Sequence, residues 1–286
     1  MAIKIKNFFD QDTATFTYIV SDESSKKAAV VDSVLNYDQY SGRTSTKSAD
    51  EVIKFITENV LTLEWILETH IHADHLTASQ YLKEKLGGKI GMGSKIKEVL
   101  SFWVPIFNTA HDTPFNGMQF DQLFDDNEVI KLGNVSIKVL HTPGHTPACA
   151  SYLIEDAIFV GDTIFMPDIG TARTDFPGGS AETMYDSVRR ILCFPDNTRI
   201  FTCHDYPPEG RSVNYLSTVK EQKEKNILIN EAISKSQYVE IRNKRDEGKA
   251  VPKLLLPSIQ FNLRAGAFEK PEKNGVEYIK IPINKI

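Results

Sequence analysis

The sequence Thr69-His70-Ile71-His72-Ala73-Asp74-His75 places three imidazoles and one carboxylate within six consecutive positions. It follows residues 62–67, where side chains alternate as they do in a half-buried β-strand. In an extended backbone, side chains two residues apart point to the same side, so His70 and His72 can face one ion. The stretch therefore predicts a metal site at the end of a strand.

The segment after this stretch predicts a helix. Ala78, Leu82 and Leu86 recur at intervals of four and would form its apolar face. Asp74 is expected to be the N-cap of this helix, and Gly87-Gly88 is expected to end it. The metal-binding residues would then lie in a loop between a strand and a helix, where a rigid scaffold usually carries functional groups.

Three later motifs carry the same types of side chain. His145 lies in a tight Pro-Gly-His turn, Asp162 follows an apolar strand and a glycine, and His204 ends another strand. Of the other histidines, His141 is expected to have a structural role at the turn, and His111 is expected to be exposed and not a ligand. The polar residues at strand ends are thus His70, His72, Asp74, His75, His145, Asp162 and His204.

Patterns along the rest of the chain predict a mixed α/β protein. Strands are expected near residues 3–5, 15–20, 28–32, 89–92, 129–132, 135–139, 152–154, 157–160 and 199–202, and helices near 48–60, 94–102 and 184–191. The stretches 36–47 and 108–122 are expected to be loops, and the second could form one wall of the site. After residue 216, alternating runs at 259–263 and 278–283 are typical of strands.

Composition limits the classes of function. The 286 residues include 41% hydrophobic and 25% charged residues, which is typical of a globular protein and favours one large domain. The net charge of −5, with both signs interspersed, gives no basic footprint, so we expect no nucleic-acid partner. No apolar run is long enough to span a membrane, so we expect no membrane partner and a cytoplasmic location.

Together, the 69–75 motif, the Pro-Gly-His turn, the Gly-Asp pair and the final histidine resemble the metallo-β-lactamase superfamily over about residues 10–215. The resemblance implies an αββα sandwich, in which two mixed sheets pack face to face with helices outside and metal at one edge. We expect residues 1–215 to form the catalytic domain and residues 216–286 to form a helical and extended extension that packs on it.

Two metal arrangements are open within this superfamily. In hydrolases of the glyoxalase II type, the resemblance implies one zinc held by His70, His72 and His145 and a second held by Asp74, His75 and His204. Asp162 would bridge the two ions. Two such Lewis acids generate hydroxide from a shared water at neutral pH, and they would cleave a thioester or a related ester bond.

A narrower resemblance favours the persulfide dioxygenases. It rests on Arg173-Thr174-Asp175-Phe176, the following Gly178-Gly179, and His204-Asp205-Tyr206. It implies a single Fe(II) held by His70, His145 and Asp162, which is a facial triad with three open positions. His72, Asp74, His75 and His204 would then orient the ligands and hydrogen-bond waters around the iron.

The same resemblance implies the substrates and their contacts. A thiol persulfide, such as glutathione persulfide, and O2 would react at the iron to give sulfite and a thiol, as in sulfide detoxification. Arg173 and Thr174 would bind a carboxylate of the thiol carrier, although Arg173 could instead form an ion pair with Asp175. Tyr206 would hydrogen-bond near the iron or simply pack. Relatives suggest a homodimer.

Overall fold

The computed structural model describes residues 3–286 and builds them from fifteen strands and seven helices. The strands are β1 (Ile3–Asp10), β2 (Thr15–Asp22), β3 (Lys27–Val31), β4 (Val34–Asp38), β5 (Arg43–Ser45), β6 (Thr62–Leu67), β7 (Leu76–Thr77), β8 (Lys89–Gly93), β9 (Gln122–Phe124), β10 (Val129–Leu132), β11 (Val135–His141), β12 (Ala150–Ile154), β13 (Ala157–Phe159), β14 (Arg199–Phe201) and β15 (Leu216–Thr218). The helices are α1 (Lys47–Glu58), α2 (Ser79–Leu86), α3 (Ile96–Phe107), α4 (Ala181–Leu192), α5 (Val219–Lys225), α6 (Lys235–Asp246) and α7 (Leu255–Asn262).

Two six-stranded mixed sheets form the centre of the molecule. The first has the order β1-β2-β3-β6-β8-β9, in which β3, β6, β8 and β9 run parallel. The second has the order β10-β11-β12-β13-β14-β15, in which only β13 and β14 pair in parallel within the described residues. A small third sheet joins β5, β4 and β7.

Three hydrophobic layers hold these elements together. Large aromatic side chains fill the space between the two sheets, among them Tyr18, Trp65, Phe124, Tyr152 and Phe159. A second layer packs α1, α2, α3 and α7 against the outer face of the first sheet. A third packs α4, α5 and α6 against the second sheet. The expected αββα sandwich is therefore confirmed.

Some local predictions are wrong for identifiable reasons. The polar stretch 36–47 contains part of β4 and all of β5, and the exposed β5 has no apolar alternation that could reveal it. The run 259–263 is not a strand, because most of it lies in α7, which is buried on nearly every side and so lacks a one-sided apolar stripe. Residues 278–283 form no strand in the described part of the chain.

The C-terminal segment is joined to the rest of the fold at several points. Strand β15 pairs with β14 in the second sheet, and Leu255 and Ile259 of α7 are buried in the layer over the first sheet. The division at residue 215 stays a prediction, and residues 1 and 2 of its first part lie outside the described residues. Within residues 3–286, no helix has both the length and the apolar character needed to cross a membrane.

Candidate metal centre

Four strands from the two sheets end at the candidate metal centre. The loop after β6 carries residues 70–75, the turn after β11 carries His145, and Asp162 and His204 follow β13 and β14. Main-chain hydrogen bonds join these ends, since the Ala150 amide donates to the Thr69 carbonyl at 2.8 Å. The seven predicted ligands, which follow the ends of strands as expected from the sequence, therefore lie together at one edge of the sandwich.

Gly161 allows the Asp162 loop to approach the histidine motif. Its φ is +51°, and a Cβ placed on it would lie 2.4 Å from the Thr69 hydroxyl oxygen. Any other residue would force these two segments apart. The glycine before Asp162 is thus needed for the close packing of the site.

His70, His145 and Asp162 form one compact group, which we call the triad. Their ligand atoms lie within 4.8 Å of one another. The Nε2 atoms of His70 and His145 lie 3.8 and 3.7 Å from the same carboxylate oxygen, Asp162 Oδ2. Two imidazoles and one carboxylate therefore converge on one point.

The remaining four predicted ligands form a second group, the quartet. It consists of His72, Asp74, His75 and His204, whose ligand atoms also lie within 4.8 Å of one another. His204 Nε2 is 3.1 Å from Asp74 Oδ2 and 3.5 Å from Asp162 Oδ1, so Asp162 lies between the triad and the quartet. The expectation that Asp74 caps a helix is wrong, because α2 begins at Ser79 with Ala78 as its N-cap.

Hydrogen bonds fix which nitrogen of each triad histidine is free. The Thr69 hydroxyl donates to Asp32, so its oxygen is left to accept from His70 Nδ1 at 3.0 Å. His145 Nδ1 donates to the main-chain oxygen of Arg173 at 2.8 Å. In both rings the proton is held at Nδ1, and Nε2, which faces Asp162, keeps its lone pair.

The quartet histidines are held differently. His72 Nε2 donates to Asp32 Oδ1 at 3.1 Å and lies 3.2 Å from Glu68 Oε2, so two buried carboxylates face one imidazole nitrogen. Its other nitrogen, Nδ1, is buried and has no hydrogen-bond partner among the described residues. His204 Nδ1 donates to the Ala14 carbonyl at 3.3 Å, which leaves Nε2 directed at the two aspartates.

The electrostatic surroundings separate His72 from its neighbours. Burial, followed by the charges of His72 and His145, lowers the pKa of His70 well below its usual value. Burial and His72 also lower the pKa of His75. Burial acts against protonation of His72 too, but the Asp32 charge and the Asp32 and Glu68 hydrogen bonds raise the pKa of His72 well above its usual value. The neutral rings are suited to bind metal directly.

The unpaired atoms of the site fit a metal ion. Among residues 3–286, four buried atoms of the predicted ligands have no hydrogen-bond partner: His72 Nδ1, His75 Nε2, His204 Nε2 and Asp162 Oδ1. A buried polar atom left in this way costs about 1–3 kcal/mol. Imidazole nitrogens and carboxylate oxygens are the ligands that zinc and non-haem iron take in proteins, so coordination would remove this cost.

A cavity of about 270 Å³ opens onto this centre. His145, Asp162 and Asp74 lie in its wall, together with apolar side chains that include Phe165 and Phe176. The phenyl ring of Phe176 meets the His145 ring edge-on at 5.0 Å. One side of the metal centre is thus accessible to a small molecule through a largely apolar passage.

Only two of the three predicted substrate-binding residues line the cavity. Tyr206 lines it, stacks on His204 and donates a long 3.4 Å hydrogen bond to Asp74. Arg173 also lines it, but its guanidinium binds both oxygens of Asp175 at 2.6 Å, which is the ion pair that the sequence left open. Thr174 is buried against Asp246 and does not line the cavity.

Three residues that support the centre were missed by the sequence analysis. Asp32 and Glu68 hold His72, and both could have been noticed as carboxylates that directly follow apolar strands. Asn262 lies in α7 and donates to the carbonyl oxygens of His72 and His75 at 2.8 and 2.9 Å. No local signal could have revealed Asn262, because it lies far along the chain in a segment that resembled a strand.

The two remaining histidines lie outside the centre. His141 Nε2 donates to the Phe124 carbonyl at 2.9 Å, which agrees with the structural role expected for it. His111 is more than half exposed and contacts Glu269 at 3.1 Å. Glu269 is also paired with Lys280 at 2.9 Å, so this outlying group is an ion-pair network.

Comparisons with known proteins agree with this geometry. The family model described as the metallo-beta-lactamase superfamily matches residues 11–204. Glyoxylase B2 of Dictyostelium discoideum is 50% identical over 283 residues, which cover 98% of this chain and 97% of that protein. The mitochondrial persulfide dioxygenase ETHE1 of Homo sapiens is 29% identical over 267 residues, which cover 92% and 89%. The crystal structure of ETHE1 from Myxococcus xanthus has a TM-score of 0.74 and 27% identity, and the match covers 92% of this chain and 100% of that one.

Proposed function

Because the chain belongs to the metallo-beta-lactamase superfamily, whose members are metal-dependent enzymes, we propose that it is a persulfide dioxygenase that uses one Fe(II). A thiol persulfide, O2 and water would give a thiol, sulfite and two protons. When bound, the iron would hold both substrates side by side and supply the electron transfer between them.

The observation that carries this proposal is the relation of the triad to the cavity. His70 and His145 share Asp162 Oδ2, and His145 and Asp162 lie in the cavity wall. Two histidines and one carboxylate on one side of an ion leave the opposite positions open. A substrate that enters through the cavity would therefore reach an ion held by these three residues. The similarity to persulfide dioxygenase ETHE1 along nearly the whole chain supports the same reading.

The residues of this chain would contribute positioning and exclusion of water. Thr69 and the Arg173 carbonyl fix the rings of His70 and His145, so their Nε2 atoms are directed before metal or substrate binds. The apolar wall keeps water away from the reacting sulfur. The Tyr206 hydroxyl lines the cavity with only a long 3.4 Å hydrogen bond to Asp74, so it could donate a hydrogen bond to a bound substrate.

A dinuclear zinc hydrolase is the second candidate, and the quartet favours it. His72 Nδ1, His75 Nε2 and His204 Nε2 are buried without hydrogen-bond partners among the described residues, and Asp162 lies between the two groups. As the superfamily resemblance implies, His72 would join His70 and His145 around one zinc while Asp74, His75 and His204 would hold a second, and the two ions would activate a shared water against a thioester. The choice between the candidates therefore depends on whether the quartet binds metal.

The test is metal analysis combined with two assays on protein purified without oxygen. We expect about one iron per chain, and oxygen uptake with sulfite release when glutathione persulfide is added. Glutathione itself is the control substrate and should cause no uptake. Two zincs per chain, with thioester hydrolysis and no oxygen uptake, would instead establish the hydrolase.

A further inference from the structure

Exposed apolar side chains are concentrated in residues 276–286. Eighteen large hydrophobic side chains are exposed in the described part of the chain, and six of them belong to this segment. They are Val276, Tyr278, Ile279, Ile281, Ile283 and Ile286. Ile281 and Ile283 are 66% and 74% exposed. A concentration of this kind on a protein surface indicates an interaction site.

Lys280 fixes the orientation of this segment. Its main-chain amide donates to Gln260 Oε1 at 2.9 Å, and Gln260 Nε2 donates to its carbonyl oxygen at 2.8 Å. The Lys280 ammonium also contacts Glu269 at 2.9 Å. The N–H and C=O of one residue point to the same side in an extended backbone, so Lys280 faces the Gln260 side chain of α7 as a strand residue faces its neighbour.

The opposite edge of the segment is open. The main-chain groups of alternate residues in an extended backbone point to opposite sides, so those of Ile279 and Ile281 face away from α7. These groups have no hydrogen-bond partner in the described part of the chain. Pro282, which has no N–H to donate, falls on the same side as Lys280 and leaves this edge complete. The outer edge is therefore an unpaired strand edge that carries isoleucines.

We propose that this edge pairs antiparallel with the same edge of a second copy of the chain, with Ile281 opposite itself on a two-fold axis. In this register Ile279 lies opposite Ile283, so apolar side chains meet along the whole pair. Glu277 and Lys285, which flank the run, carry opposite charges that the two-fold axis brings together. Because the run matches its own reverse order in both apolar and charged positions, it favours a second copy over an unrelated partner.

The pairing is short, and it does not depend on the reaction that the metal centre catalyses. A turn at residues 283 and 284 ends the extended run and limits the pair to residues 279–283. Two such edges bury less surface than an obligate interface, so we expect a reversible dimer that forms as the protein concentration rises. Relatives suggested a homodimer without indicating which surface forms it, and this edge is the surface that we assign.

Sedimentation equilibrium of the full chain over a range of concentrations tests the interface. We expect the unmodified protein to approach twice the mass of one chain as its concentration rises. Ile281→Asp places like charges opposite each other at the two-fold axis, so we expect its dissociation constant for dimerisation to rise about 100-fold. Val60→Asp is the matched control, since Val60 is 78% exposed and lies outside the segment. We expect that variant to dimerise like the unmodified protein.

Cysteine cross-linking tests the register. Cys193 is exposed, so the variants are made in a Cys193→Ser background. Ile281→Cys would place two thiols opposite each other where the Cα atoms of an antiparallel pair lie about 5.5 Å apart, which a disulfide can span. We expect diamide to oxidise these thiols to an intermolecular disulfide. Ile283→Cys is the control, because its two copies would lie about 14 Å apart along the pair and should stay reduced.

The two experiments can each overturn the proposal. A protein that stays monomeric at every concentration would do so, and so would a dimer that Ile281→Asp leaves intact or that Val60→Asp weakens equally. Cross-linking of Ile283→Cys as complete as that of Ile281→Cys would overturn the register. Failure of the pairing would leave the proposed dioxygenase unaffected, because oxygen uptake and metal content are measured separately.

Discussion

The triad and the quartet lie side by side but differ in how they are held and in how they meet solvent. The triad rings are anchored by a hydroxyl and a main-chain carbonyl, and His145 and Asp162 face the cavity. In the quartet, His72 is anchored by two buried carboxylates. All three quartet histidines are fully buried, and only Asp74, with 27% of its side chain exposed, reaches the cavity.

This difference indicates that the triad and the quartet have different roles. A site that must admit a substrate needs access to a passage, and two residues of the triad, His145 and Asp162, line the cavity. Buried groups fixed by charged partners are suited to keep a neighbouring ligand in place or to hold a closed metal site. Variants that remove one side chain at a time can therefore show which of the two groups binds metal.

Asp162→Ala should have the largest effect, because Asp162 contacts both groups. Its oxygens lie 3.5 to 3.8 Å from the Nε2 atoms of His70, His145 and His204. We expect metal to be lost and turnover to fall on the order of 1,000-fold or more. Elemental analysis and steady-state assays would measure both, with a thermal melt as the control for folding. Retention of metal by this variant would show that Asp162 is not needed to bind the metal.

His204→Ala tests the quartet alone. If the triad holds the iron, we expect iron content to stay near one per chain while turnover falls by about 10- to 100-fold, because Asp74 and Asp162 lose a positioning partner. Metal analysis beside the oxygen-uptake assay is the measurement. Loss of half of the bound metal would show that His204 is a ligand, as the dinuclear site requires.

Glu68→Gln tests the support of His72. Glu68 Oε1 accepts from the hydroxyls of Thr77 and Ser79, and Oε2 faces His72. An amide cannot satisfy all of these donors, so we expect the His72 ring to lose its fixed orientation beside His70 and turnover to fall about tenfold at unchanged iron content. The exposed Glu58→Gln is the control. A parallel loss of metal would instead identify His72 as a ligand.

Asn262→Ala should have the smallest effect on turnover and act mainly on stability. Asn262 makes three hydrogen bonds to the main chain of residues 72–77, and its removal leaves buried groups unpaired. We expect the free energy of unfolding to fall by about 2 kcal/mol and Tm by roughly 5 °C. Calorimetry against the exposed control Asn243→Ala would measure this. An unchanged Tm would mean that α7 does not stabilise the loop that carries residues 70–75.

The sequence predicted most strands and helices whose apolar pattern faces one side. It failed where that pattern was absent, as in the exposed β5 and the deeply buried α7. Asp74 shows another limit of prediction from the sequence. An aspartate that precedes a helix is suited to cap it, but the same carboxylate is suited to a metal cluster, and only the position of His204 and His75 beside it decides between the two.

The amino-acid sequence by itself determined the types of ligand, their order along the chain and their positions at strand ends, because these depend on local periodicity. The tertiary structure decided which ligand atoms meet, which nitrogen of each histidine is free, and which strand edge stays unpaired. Those properties depend on contacts between residues far apart in the chain, such as Asp32 with the His72 ring and Asn262 with the His72 carbonyl. Distances of this kind are set when the two sheets and their covering helices pack together.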